Sequence, residues 1–217
     1  VGGTITDLVA TVDPLVWTAQ FTATDGFTGT GSVTVVSDSY TDVALNLGGS
    51  SSDSVTIDRT NPTVTVAIAE SSLSDGTASS LVTFTFSEAP TGFTDADLDA
   101  VGGVVTDLMA TVDPLVWTAQ FTATDGFTGM GSVTVVSDSY TDAALNLGGL
   151  GSDSVTVDRT NPTVMVAIAD GSLSDTDASS LVTFTFSEAP TGFTDADLDV
   201  VGGTVTDLVA TVDPLVW

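Results

Sequence analysis

The sequence predicts an all-β protein built from tandem sandwich domains joined head to tail, and three features lead to that reading. Residues 101–200 repeat residues 1–100 with 14 substitutions, and residues 201–217 open a third copy with Val201-Gly202-Gly203. A period near 100 is too long for a solenoid and matches one sandwich domain per unit. Within each unit, apolar and polar residues alternate over short runs, as strands with one buried face do, and Gly, Pro and Asp punctuate the runs.

The complete unit, residues 59–158, reads as seven strands. The first covers 63–69 and is followed by a polar loop over 70–76. The second, 81–87, places Val82, Phe84 and Phe86 on one face and Thr83 and Thr85 on the other. Pro90 and Gly92 turn the chain into a third strand over 93–101, and Gly102-Gly103 turns it again into 104–111. Asp113-Pro114 signals a hairpin before 116–124, where Trp117, Ala119, Phe121 and Ala123 share a face. Gly126, Gly129 and Gly131 mark the next loop, and Val133 and Val135 point inward from the sixth strand. A long loop over 138–153 leads to the seventh, Ser154-Val155-Thr156-Val157.

Seven short strands at regular spacing fit an immunoglobulin-like sandwich. Parity supports the count. Seven antiparallel strands put the first and last at opposite ends, so copies run head to tail, whereas six would fold the chain back on itself. Residues 1–58 then carry the last four strands of one unit, and residues 159–217 the first four and the start of the fifth strand of another.

Charge restricts function. Twenty-nine acidic residues face two arginines, with no lysine or histidine, for a formal net charge of -27. Such a chain repels nucleic acid and anionic lipid, both of which need cationic side chains. A hydrophobic content of 42% in strand-like alternation argues against disorder. No cysteine is present, so disulfides and thiol chemistry are excluded. No run of about 18 apolar residues occurs, so nothing reads as a membrane span. The chain begins inside a repeat, so its lack of a leader carries no information on secretion. Self-repulsion on this scale calls for bound cations.

The acids concentrate at the joints. Asp58-Arg59-Thr60-Asn61-Pro62-Thr63 recurs as Asp158-Arg159-Thr160-Asn161-Pro162-Thr163. The proline removes a backbone donor and biases its predecessor away from helix, so the joint reads as a stiff extended link. Strand parity places Glu88, Asp95, Asp113, Asp138, Asp142 and Asn146 at the end facing the preceding unit. Glu70, Asp75, Asp99 and Asp125 fall at the far end. Calcium takes six to eight oxygen ligands from carboxylates, amides and carbonyls, and this pattern suits it. The candidate ligands are Glu88, Asp95, Asp97, Asp142 and Asn146 beside Asp58, and in the following copy Glu188, Asp195 and Asp197 beside Asp158. No strict D-x-D-x-D-G loop is present, and the competing reading is a solvated acidic surface.

Enzyme chemistry is disfavoured. Without His, Cys or Lys, most nucleophile–base pairs are missing. Asp95 and Asp97 as an acid–base pair lack an aromatic-lined cleft, and metal ligation or solvation explains them better. Trp17, Trp117 and Trp217 occupy one repeat position on an alternating strand and read as core rather than sugar platform. The threonine-rich outer faces follow from β-propensity.

Val82-Thr83-Phe84-Thr85-Phe86-Ser87-Glu88, Gly92-Phe93-Thr94-Asp95-Ala96-Asp97-Leu98, Ser139-Tyr140-Thr141-Asp142 and the joint sequence together resemble the bacterial Ig-like repeats of giant surface adhesins, of the biofilm-associated and RTX type. The resemblance covers the whole repeat. It implies extracellular tandem extenders that hold a binding tip away from the bacterial cell, with calcium-stiffened linkers and type I secretion. Two departures stand out: Ala144-Leu145-Asn146 where that family often has Ala-Gly-Asn, and Arg59 and Arg159 where it commonly has a small polar residue. An arginine there would pair with a nearby acid and replace part of a cation's charge. The expected partners are neighbouring repeats, or neighbouring chains by strand complementation. The alternative function is an adhesive module that contacts a glycan or host surface directly.

Overall fold

The computed structural model describes residues Val1–Trp217, which form two compact units, Val1–Arg159 and Thr160–Trp217. The first half-repeat folds as two antiparallel pairs, β1 (Gly3–Ala10) with β2 (Trp17–Ala23) and β3 (Thr28–Val35) with β4 (Ser51–Asp58). The complete repeat contributes β5 (Val64–Ile68), β6 (Ser72–Leu73), β7 (Ser79–Phe86), β8 (Leu98–Val101), β9 (Gly103–Ala110), β10 (Val116–Ala123), β11 (Thr128–Val135) and β12 (Gly151–Asp158). These make two four-stranded sheets, ordered β5-β7-β10-β9 and β6-β12-β11-β8. In the second compact unit β13 (Val164–Ile168) pairs with β14 (Val182–Phe186).

Alternation decides what lies between the sheets. Val82, Phe84 and Phe86 on β7, Ala119, Phe121 and Ala123 on β10, and Val133 and Val135 on β11 are all buried, as their period of two requires. Burial of each large apolar side chain contributes roughly 1.5–3 kcal/mol. Phe93, just before β8, organises one end of the core. Its ring meets Phe86, Trp117 and Phe84 edge-on at centroid distances of 5.0, 5.4 and 5.6 Å. Edge-on contact sets the positive rim of one ring against the negative face of the next, which favours this geometry over stacking. Trp117 is therefore a core-packing residue.

Two expectations change. The third strand is confined to Leu98–Val101, because residues Asp95–Asp97 form a 3-10 turn in front of it. The turn from β8 to β9 passes through Gly102 at φ 71°, where a Cβ would also run into the Phe127 ring. The polar stretch over 70–76 holds an eighth, two-residue strand, in which Ser72 and Leu73 pair in parallel with Thr156 and Val157 of β12. Polar contacts route the chain there. At the end of β5 the Ile68 N–H donates to Asp153 Oδ2 at 2.8 Å, and the Glu70 N–H donates to Ser80 Oγ at 2.9 Å. The chain thereby passes from one sheet to the other, and Leu73 enters the core at 1% exposure.

Leu73→Ala tests this crossing. A core leucine lost to alanine costs about 2–5 kcal/mol, whereas a loop leucine shifts stability by about 0.5 kcal/mol or less. Urea unfolding of the full chain is expected to show the larger loss.

Candidate functional site

The joint from Asp58 to Thr63 is tied to the repeats on both of its sides. On the upstream side, the Arg59 N–H donates to Phe27 O and the Arg59 carbonyl accepts from the Gly26 N–H, both at 3.0 Å. Thr28 Oγ1 donates to Asp58 Oδ1 at 2.8 Å. On the downstream side, Asn146 Nδ2 donates to the Asp58 carbonyl at 3.2 Å, and the Gly149 N–H donates to Pro62 O at 2.8 Å. The Thr63 N–H donates to Ser87 Oγ at 2.9 Å, and the Ser87 N–H returns to Thr63 O at the same distance. Pro62 itself is fully buried. A residue with fixed φ, no donor to satisfy and its carbonyl bonded is well suited to that position.

Sequence reasoning missed Tyr140, which connects this joint to the core. Its ring packs edge-on against Phe86 at 5.1 Å, and its hydroxyl donates to Gly149 O at 3.2 Å and toward Pro62 O at 3.4 Å. Burial pushes the Tyr140 phenol up from its ordinary value, and the Gly149 hydrogen bond only partly offsets this, so it stays protonated and donating. A lone buried tyrosine in a glycine-bearing loop was the available signal. Gly148 must be glycine here, because a Cβ would overlap the Tyr140 ring.

Three carboxylates meet against this joint. Asp58 ends β4, Glu88 follows β7, and Asp142 lies between β11 and β12, and their oxygens fall within 4.8 Å of one another. The two loops are held together by Thr91 and Thr141, whose backbones exchange N–H···O bonds of 2.6 and 3.1 Å. Asp142 is only 2% exposed. Its Oδ1 accepts from the N–H groups of Ala144 and Asn146 at 2.8 and 2.9 Å, and its Oδ2 accepts from Asn146 Nδ2 at 2.8 Å. That loop closes through Leu145 at φ 69°, the left-handed region usually left to glycine. Leucine therefore takes up the turn expected of glycine, and Asn146 keeps its place beside the trio.

Asp97 and Asp95 separate from this group. Asp97 is buried, but its Oδ2 accepts the Thr94 N–H at 2.6 Å and the Thr94 hydroxyl at 3.1 Å, so its carboxylate caps the 3-10 turn. Asp95 is exposed and lies outside the trio. In the second compact unit Asp197 repeats the cap with Thr194 at 2.8 and 3.1 Å, while Asp195 and Glu188 are exposed. Asp158 accepts the Thr128 hydroxyl at 2.9 Å, as Asp58 does from Thr28.

Electrostatics within the trio is unequal. Burial, then the negative charges of Asp58 and Asp142, push Glu88 above its ordinary value of 4.5. For Asp142, burial pushes upward, but the Asn146, Ala144 and Leu145 hydrogen bonds outweigh it and hold the group below 3.8. Each like-charge pair at this spacing costs about 1 kcal/mol in water and about 3.5 kcal/mol at an effective dielectric near 20. Calcium binds oxygen at roughly 2.3–2.6 Å, so oxygens on opposite sides of one ion stand about 4.6–5.2 Å apart. Three carboxylate oxygens at this spacing suit a hard divalent cation.

The signs of these shifts give opposite pH behaviour. Glu88, raised in the folded state, gives its full stability below pH 4.5 and loses it as pH climbs through its folded value. Asp142, depressed, contributes above pH 3.8 and loses its contribution as pH falls through its folded value. In EDTA, Glu88→Gln is expected to raise the melting temperature at pH 7 and to leave it unchanged at pH 4. Asp142→Asn is expected to lower it at pH 7, with a stability loss of about 1 kcal/mol for each hydrogen bond lost. Thermal melts by circular dichroism check both.

A sequence profile described as "Bacterial Ig-like domain" matches residues 1–59, 58–157 and 158–217. No curated protein sequence matches the chain. Among solved structures, invasin, described as a bacterial integrin-binding protein, is 16% identical with a TM-score of 0.37, and the match covers 78% of this chain and 36% of invasin. InvD of Yersinia pseudotuberculosis is 19% identical with a TM-score of 0.32, and the match covers 85% of this chain and 56% of InvD. The chain thus spans about a third to a half of the structures it matches.

Proposed function

The chain belongs to the bacterial Ig-like domain family, a family of structural and adhesion modules rather than enzymes, and from that premise we propose that it is an extender repeat of a secreted bacterial adhesin or extracellular filament, stiffened at its joints by calcium. The observation that carries this reading is the carboxylate trio, assembled from the last strand of one repeat and two loops of the next. An ion held there would supply two positive charges among three negative ones.

The chain's own residues support such a role. The Asp58 backbone is fixed by β3 through the β3–β4 ladder and by Asn146 through its carbonyl. Pro62 is plugged into the repeat that follows, against Tyr140. A joint held this way resists bending, and near-identical copies then add length without adding separate tasks. What remains unfavourable is the mutual repulsion of Asp58, Glu88 and Asp142, which pushes the two sides of the joint apart.

Calcium titration calorimetry on the full chain, repeated with Asp58→Ala, tests the proposal. Tight binding that is lost in the variant, with a melting temperature that falls in EDTA, is the expected result. No heat at millimolar calcium, or an unchanged melting curve and scattering profile in EDTA, would overturn it.

A further inference from the structure

Both cationic side chains of the chain, Arg59 and Arg159, sit one residue beyond a repeat's last strand. The end of the repeat that Arg159 leaves is the one opposite the carboxylate trio. Its Nε donates to Asp75 Oδ1 at 3.0 Å, its Nη2 pairs with Asp125 Oδ1 at 3.4 Å, and its Nη1 donates to the Ala123 carbonyl. Its backbone also closes on the same loop, with Arg159 N–H to Phe127 O and Gly126 N–H to Arg159 O, each at 2.9 Å. One guanidinium thus gathers the loop after β6, the loop after β10 and the start of the linker.

Arg59 makes the corresponding contacts to Asp25, at 3.2 Å, and to Ala23 O. The Arg159 side chain is only 15% exposed, and burial strengthens such a pair by removing the water that screens it.

We propose that this arginine is the built-in cation of the repeat, a clamp that joins the β6 crossover, the β10–β11 loop and the outgoing linker without a metal ion. The inference goes beyond the calcium reading and stands independently of it. The planar fork suits the task, since it addresses two carboxylates and a carbonyl in fixed directions, which a lysine would not. It also explains how a two-residue parallel strand persists: β6 has little ladder of its own, and Asp75, two residues beyond it, is held by the charge.

Hydrogen–deuterium exchange on the full chain in EDTA tests the clamp, read on peptides covering 70–77 and 124–128. Arg159→Gln is expected to speed exchange in both peptides by about tenfold or more, in line with the loss of charged hydrogen bonds. Asp75→Asn alone is expected to speed it as well, and as an exposed substitution it keeps the test usable if Arg159→Gln does not fold. In the Arg159→Gln background, Asp75→Asn is expected to have the opposite sign and slow exchange in the 70–77 peptide, because it removes one of two negative charges left without a cation. Calcium added to the wild type is expected to leave the 70–77 peptide unchanged. Wild-type exchange in Arg159→Gln, the same effect of Asp75→Asn in both backgrounds, or slowing of that peptide by calcium would each overturn the proposal.

Discussion

Shortage of positive charge is the constraint that the rest of this structure depends on. The core is assembled without reference to charge, from alternating Val and Phe whose burial supplies the driving force. Most acids lie in loops and at strand ends, and three of them, Asp58, Glu88 and Asp142, meet at a joint. Local hydrogen bonds absorb part of the cost: Asp97 is spent on Thr94, and Asp142 on the backbone of its own loop. Two more, Asp75 and Asp125, share the single positive charge of Arg159. At the joint, Asp58 and Glu88 lie beside an Asp142 that stays ionised because its hydrogen bonds favour the charged form.

The two ends of a repeat are therefore not alike. The end that Arg159 leaves carries its own counter-charge, while the end that receives the linker at Asp58 gathers three acids and no cation. The Arg159 end thus sets one positive charge against two carboxylates, and the Asp58 end sets none against three. Internal copies agree with this division of labour: none of the 14 differences between residues 1–100 and 101–200 falls on the Asp58-to-Thr63 segment, Glu88, Asp142, Asn146, Asp125 or their counterparts.

Much of the fold was legible in the sequence because alternation is a strong signal wherever a strand has one buried face. Phe121 and Ala123 are buried where the pattern of residues 116–124 put them, and Val133 and Val135 likewise. Leu73 was not legible. A two-residue parallel bridge has no period, and a single leucine among serines looks like a loop residue until the Asp153 and Ser80 contacts that steer it are known. The third strand was overextended for a related reason, since Phe93 is apolar and buried without being in a strand.

The site was legible at the level of loops but not of individual oxygens. Counting strands put Glu88, Asp95, Asp142 and Asn146 at one end, yet only Glu88 and Asp142 join Asp58. What separates Asp142 from Asp97 is neither burial, since both are buried, nor hydrogen bonding, since both carboxylates accept from their own loops. Thr94-Asp95-Ala96-Asp97, with an acid three residues after the threonine, is a local capping box, and that spacing was available in the sequence as a sign that the acid serves the turn. Asp142 serves its loop too, but through a turn that opens toward the joint and brings Asn146 against the Asp58 carbonyl. The difference between a structural acid and a candidate ligand thus lies in where its loop points, and that direction is fixed by Tyr140 and the Thr91–Thr141 bridge, contacts between segments about 50 residues or more apart in sequence.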